Sequence, residues 1–403
     1  MKSKLLLYIL IAITVIAVAA FIIYQLVYRG NSNITGGTGQ TGSLPNTANQ
    51  QFPSANPTTK TSTVSTFGTG GMNASSSKFG IVSNDPALDY FVDAANIVTL
   101  VKPDGTVEAI TNNKATVISS SAIPNIISAS FSYDGKKILV ASRVGTTTQS
   151  SVFNLTTRAW TPLPNSMQSP AWSPTNYQIA YLTPSNSGFL TLSTIDAGAT
   201  STKPITVASL AMEDVTVQWP SKNNMIISDR PSAYTTGSIW LFNVSSKTLS
   251  PVVYENLGME SLWNASGSAL LFSAGSNNAG GELTFKNASG TEKTLSFATL
   301  PSKCVFGPST AASGTANPSV LIYCAVPRDQ NTFSIARLPD EYDQNVYFTD
   351  DDFYRMDAGT GSLNQIFSFG TAGLSIDATR VKAFNNILFF INRYDQKIYA
   401  LAL

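Results

Sequence analysis

From Lys78 to the C-terminus the chain alternates short runs of β-branched and aromatic residues with polar turns. Apolar residues recur at period two, and no segment shows the 3.6-residue period of an amphipathic helix. One unit repeats. An aromatic anchor closes a short strand, a polar turn follows, and a strongly apolar strand comes next. The copies begin at Ser130-Phe131, Ala171-Trp172, Gln218-Trp219, Leu262-Trp263 and Val305-Phe306. Their anchors at 131, 172, 219, 263 and 306 lie 41, 47, 44 and 43 residues apart. That period belongs to a four-stranded propeller blade. Second hairpins follow inside the units, as where Ile97–Val101 turns through Pro103-Asp104-Gly105 into Val107–Ile110. Asp and Gly there suit tight turns.

The best copies carry a resemblance. FSYDGKKILVAS at Phe131–Ser142 resembles the repeat of TolB-like and WD40-like β-propellers (the PD40-type repeat), and WSPTNYQIAYLT at Trp172–Thr183 is similar to it. The copies at Trp219-Pro220 and Trp263-Asn264 keep the anchor and lose the Asp-Gly turn. The resemblance spans Phe79–Leu403 and implies an all-β fold, blades arrayed around a central channel. It rests on structural positions, so it transfers no functional residue. We expect about seven four-stranded blades, with Phe79–Ile126 as the first. The last unit, around Ile376–Leu401, reads one strand short. A ring must close or leave an apolar edge, and Thr61–Phe67 is the expected donor of the missing outer strand.

Ahead of the repeats lie three further segments. Residues 1–4 read as a cytoplasmic tail. Residues 5–27, LLLYILIAITVIAVAAFIIYQLV, carry no charge. As a helix this run measures about 34 Å and spans a hydrocarbon core of about 30 Å. A cleavage-like Ala17-Val18-Ala19 lies inside it, but the apolar run continues past that point, so a retained signal anchor is expected. Lys2 and Lys4 precede the run and Arg29 alone follows closely, which predicts a cytoplasmic N-terminus and an extracytoplasmic propeller, in a periplasm or at a cell surface. Residues 28–78, rich in Gly, Ser, Thr, Asn and Pro and free of Asp and Glu, read as a flexible linker.

Composition narrows the chemistry. Only 12% of the 403 residues are charged and the net charge is +1, which argues against nucleic-acid binding. No histidine is present, so Ser-His-Asp and Cys-His mechanisms are excluded. No P-loop or dinucleotide fingerprint appears, and no cofactor is expected. Cys304 and Cys324, the only cysteines, are too few for a zinc site; they read as a structural disulfide, as buried thiols or as a redox pair. The one concentration of acid is Arg328–Asp352, an insertion in the sixth blade. Within it, Asp340, Asp343, Asp350 and Asp352 are weak candidates for Ca²⁺ ligands. Glu341, Tyr342 and Asp351 are candidate partner contacts. The plainer alternative for this stretch is a solvated loop whose charges keep it soluble. Six Asn-x-Ser/Thr sequons occur, at Asn33, Asn73, Asn154, Asn243, Asn264 and Asn287. The expectation is a binding or scaffold module, not an enzyme, that engages an envelope protein or polysaccharide. A structural subunit of an envelope assembly and a carboxylate-dependent glycan-active enzyme are the alternatives.

Overall fold

The computed structural model describes Phe67 and residues 78–120, 123–185, 188–198, 203–276, 279–308 and 320–403. The apolar run at 5–27, nearly all of the linker and the sequons at Asn33 and Asn73 lie outside these residues. Among the described residues no helix is long and apolar enough to cross a membrane.

The described chain forms seven antiparallel sheets. Six are meanders of four sequential strands, over residues 89–119, 126–162, 168–210, 215–257, 261–294 and 304–367. A single pair, Leu257 with Gly275, links the fourth and fifth sheets. The seventh holds Ala378–Phe384, Ile387–Asn392 and Ile398–Ala402, with Phe79–Ile81 as its outer strand. Most second strands read as continuous apolar runs because both their faces are covered; Ile387–Asn392 is buried at all six positions.

Sheet-to-sheet packing makes these units a ring. Val101, Ala129 and Phe153 join sheets one and two, and Leu139, Ile179 and Tyr181 join two and three. Leu182, Val217 and Phe242 join three and four, and Ile226, Leu270 and Phe272 join four and five. Leu271, Ile322 and Met356 join five and six, and Phe353, Ala378 and Phe390 join six and seven. Tyr90, Leu100, Phe389 and Ile398 then join seven back to one. Seven sheets with seven shared cores leave no face open. The fold is therefore a seven-bladed β-propeller.

The repeat residues hold neighbouring blades. Trp172 donates its indole N–H to the Ser130 carbonyl of the preceding blade at 3.1 Å. The Tyr177 hydroxyl donates to Asp134 at 2.7 Å across the same junction. Gly135 sits at φ 72°, where a Cβ would fall 2.2 Å from the Phe91 ring of the first blade. The Asp-Gly turn is thus required both by backbone sign and by close approach. Trp219 is buried at the junction of the third and fourth blades, and Trp263 packs at that of the fourth and fifth.

Closure differs from the expectation in one respect. The missing strand comes from Phe79–Ile81, paired as Phe79 with Leu401 and Ile81 with Tyr399. Those residues belong to the last blade, and the first blade starts at Asp89. The reason is burial: Phe79 stacks on Tyr399 at 5.4 Å and meets Phe369 edge-on at 4.8 Å, inside the shared core of blades six and seven. Of Thr61–Phe67 only Phe67 is described. Its amide donates to the Ile81 carbonyl at 2.8 Å and its ring is buried between blades seven and one. Two short helices, α1 (Gln330–Ile335) and α2 (Asp340–Asp343), depart from the reading without helix; both lie in the sixth-blade insertion.

Phe79→Ala removes an aromatic anchor from the seam that closes the ring. It is expected to lower unfolding free energy by about 3–5 kcal/mol in urea titration. A loss under about 1 kcal/mol would mean that the seam contributes little to holding the ring.

Candidate functional site

In a four-stranded meander, turns alternate between two ends. The turn between second and third strands and the link to the next blade share one end. The insertion lies between the second and third strands of blade six, so it shares an end with loop 230–235 of blade four, links 258–260 and 295–303, and loop 393–397 of blade seven. It touches all of them. Asp340 accepts from the Ala233 amide at 2.5 Å and from Ser232 at 3.4 Å. Arg337 donates to the Tyr234 hydroxyl at 3.1 Å. Gln330 exchanges hydrogen bonds with both backbone groups of Ala298, at 2.8 and 3.0 Å. Gly258, at φ 59°, lets the Leu338 carbonyl approach so closely that a Cβ would lie 2.4 Å from its oxygen. Beneath, Leu300, Phe333, Ala336, Leu338 and Tyr342 form a small core of their own.

The insertion is fastened from inside by ionic groups. Lys303 is wholly buried, and its Nζ lies 2.8 Å from Asp351 and 2.6 Å from Asp377. It also donates to Thr349 at 2.8 Å and to the Tyr342 hydroxyl at 3.2 Å. Arg393 completes the set: 2.8 Å from Asp377, it donates to the Tyr342 carbonyl at 2.6 Å and to Asn345 at 2.8 Å, and its guanidinium covers the Tyr342 ring. Two cations and two carboxylates cancel, which is what makes their burial tolerable. Burial alone would discharge the Lys303 ammonium, but Asp351, Tyr342 and Asp377 more than offset it and hold its pKa above the ordinary value. Burial pushes Asp351 upward, against the opposing pull of Lys303.

Beside this cluster a cavity of about 310 Å³ opens at the ends of the inner strands of blades four and five. Thr216, Gln218, Ser228, Glu260 and Ser302 supply its polar lining, with Met259, Leu262 and Pro301 between them. The Glu260 carboxyl accepts from the Ser302 amide at 3.4 Å and hydroxyl at 3.2 Å through one oxygen. No cationic side chain among the described residues pairs with it within 4.0 Å. Burial, reinforced by the Asp343 carboxylate, pushes its pKa from 4.5 up to about 7, with Ser302 and Lys303 opposing.

The residues singled out from sequence do not assemble into the sites first envisaged. The four candidate calcium ligands disperse. Asp340 is spent on loop 232–233, and Asp350 pairs with Arg328 at 3.4 Å. Asp352 accepts from Gln365, Ser368 and Phe369. Asp343 stands on α2. Among the described residues no three metal-ligating side chains converge. Two of the proposed partner contacts lie inside: Asp351 and Tyr342 are buried in the ionic cluster, where no partner reaches them. Glu341 accepts from the Arg337 amide at 3.1 Å and so serves its own helix. Cys304 and Cys324 face each other in register on neighbouring strands and form a disulfide.

Glu260, Lys303, Asp377 and Arg393 escaped the sequence reading, which followed acidic density. A signal was present: Glu260 and Lys303 each stand three residues before an aromatic anchor, Trp263 and Phe306. That position ends a blade-to-blade link at the channel mouth.

No protein-family model matches the chain, and no curated protein sequence matches it. Solved structures do match. TolB from Acinetobacter baumannii is 13% identical, with 70% of this chain and 60% of that one covered and a TM-score of 0.41. An oligogalacturonate lyase in complex with manganese is 10% identical, with 81% of this chain and 93% of that one covered and a TM-score of 0.51. The β-propeller domain of the trilobed protease from Pyrococcus furiosus is 12% identical, with 66% and 76% covered and a TM-score of 0.41. The chain thus spans 60% of the TolB chain. Identities this low speak to fold alone. They also overturn one expectation. An oligogalacturonate lyase stands among the neighbours with this fold, so the fold gives no ground for excluding an enzyme.

Two outcomes follow from the electrostatics. Lys303→Met leaves two buried carboxylates facing one arginine, and is expected to cost about 3–5 kcal/mol in urea titration. A loss under about 1 kcal/mol would show that the cluster does not hold the insertion down. For Glu260, the folded pKa near 7 exceeds the ordinary 4.5, so the native state holds the proton more tightly. Its contribution is fully present below pH 4.5 and is lost as pH rises through 7, up to about 3 kcal/mol. Glu260→Gln should flatten that decline, a difference read by denaturation at pH 5 and pH 8. This chain is therefore a β-propeller module, the fold expected from its repeats.

Proposed function

We propose that the chain is a membrane-tethered, extracytoplasmic propeller that binds an envelope protein or polysaccharide at the end carrying the insertion. One observation carries this reading. The insertion reaches loops of blades four, five and seven from blade six and is pinned by a buried charge cluster, so it presents a rigid surface. Rigid surfaces lose little conformational entropy on binding. Exposed Ile335, Val346, Phe348 and Tyr394 lie on or beside it, with Phe348 and Tyr394 stacked at 5.4 Å. The apolar run at 5–27 supports the tether, and the lysines before it support the orientation.

A photo-crosslinking residue at Val346 in the native host should capture a discrete partner. The same residue at Lys222, on the opposite end, should not. Capture from Lys222 alone would overturn the assignment of the binding end. Release of the full chain by alkaline carbonate would overturn the tether.

A second reading has its own observation. A carboxyl poised near pH 7 in a cavity has the property of a general acid or base. If the propeller acts on glycans, Glu260→Gln should lower turnover about 100-fold or more on a panel of acidic and neutral polysaccharides. Undiminished turnover in that variant would remove Glu260 from the chemistry.

A further inference from the structure

The cavity at the channel mouth holds one ionisable side chain and no counter-charge. Glu260 spends one carboxylate oxygen on Ser302, while the cavity beside it is lined by hydroxyls of Thr216 and Ser228 and by the Gln218 amide. Between these lie apolar surfaces of Met259 and Leu262. Charged groups that act on Glu260 from neighbouring elements are Asp343 on α2, which adds negative potential, and Lys303 below, whose charge Asp351 and Asp377 already neutralise. The site is therefore short of a cation.

We infer that this cavity receives an alkylammonium group, such as a lysine side chain of a bound partner, with the ammonium on Glu260 and the methylene stem along Met259 and Leu262. This rests on the binding reading above and names the chemistry that the cavity recognises. A bare divalent ion suits it poorly. Calcium takes six to eight oxygens, usually several carboxylates, and here a single carboxylate lies among neutral groups. An alkylammonium needs one carboxylate, a few hydroxyl or carbonyl acceptors and an apolar channel for its stem. Docking also relieves the local conflict, since the incoming charge stabilises the ionised carboxyl that burial disfavours.

The test uses the full chain labelled with [¹³C-methyl]methionine, with Met259 as reporter. Added n-butylammonium chloride should shift the Met259 methyl signal saturably at pH 8. n-Butanol and sodium chloride at equal concentration should not. Apparent affinity should fall about tenfold per pH unit below 7 as Glu260 takes up its proton. Glu260→Gln should weaken binding at least tenfold, while circular dichroism reports an unchanged fold. Equal shifts from butanol and butylammonium, or wild-type affinity in Glu260→Gln, would overturn the inference. A shift produced by calcium and not by butylammonium would overturn it in favour of a metal site. Any of these failures leaves the crosslinking result at Val346 standing, so the two readings fail separately.

Discussion

The salt-bridged Lys303, buried where blades five, six and seven meet the insertion, is the interaction on which the candidate binding end depends. An ammonium without solvent persists only where opposite charges and acceptors surround it. Asp351, Asp377, Thr349 and Tyr342 do so, and they come from three stretches of chain: the third strand of blade six, the entry to blade seven, and the insertion, which supplies both Thr349 and Tyr342. Satisfying one cation therefore fixes three elements relative to one another. Arg393 extends the constraint to the loop of the last blade.

The ring beneath supplies the frame. A four-stranded sheet with two apolar faces cannot remain alone in water, and each of the seven finds its cover in two neighbours. A closed ring also explains why the short strand Phe79–Ile81 matters beyond its length. It covers the last blade's exposed edge and brings Phe79 into the core shared by blades six and seven. The disulfide joins the first two strands of blade six, which carries the insertion. It ties those two strands where the chain between them is long.

Structure and electrostatics bear on function through position. Glu260 and Lys303 occupy the same place in successive blades, yet one is neutralised and the other is not. Lys303 lies under the insertion and is walled by carboxylates. Glu260 opens to a cavity, with only serine and a distant ammonium to moderate it. A recurring repeat position thus yields two sites of opposite character because Asp351 and Asp377 surround Lys303, while Glu260 meets the Ser302 hydroxyl and the Asp343 carboxylate nearby.

Much of the fold was legible in the chain. Aromatic anchors at Phe131, Trp172, Trp219, Trp263 and Phe306, and the apolar strands after them, specify blades because each copy must bury the same surfaces against its neighbours. Period-two patterning is local, so sequence alone carries it. The closing strand and the candidate site were decided elsewhere. Nothing local marks Phe79–Ile81 as the closing strand, and its packing against Phe369 and Tyr399 decides that role. Likewise, the density of aspartates in Arg328–Asp352 pointed to a cation site. Which carboxylates meet a lysine, an amide or a cavity depends on contacts across tens to hundreds of residues, and no local pattern encodes such distances.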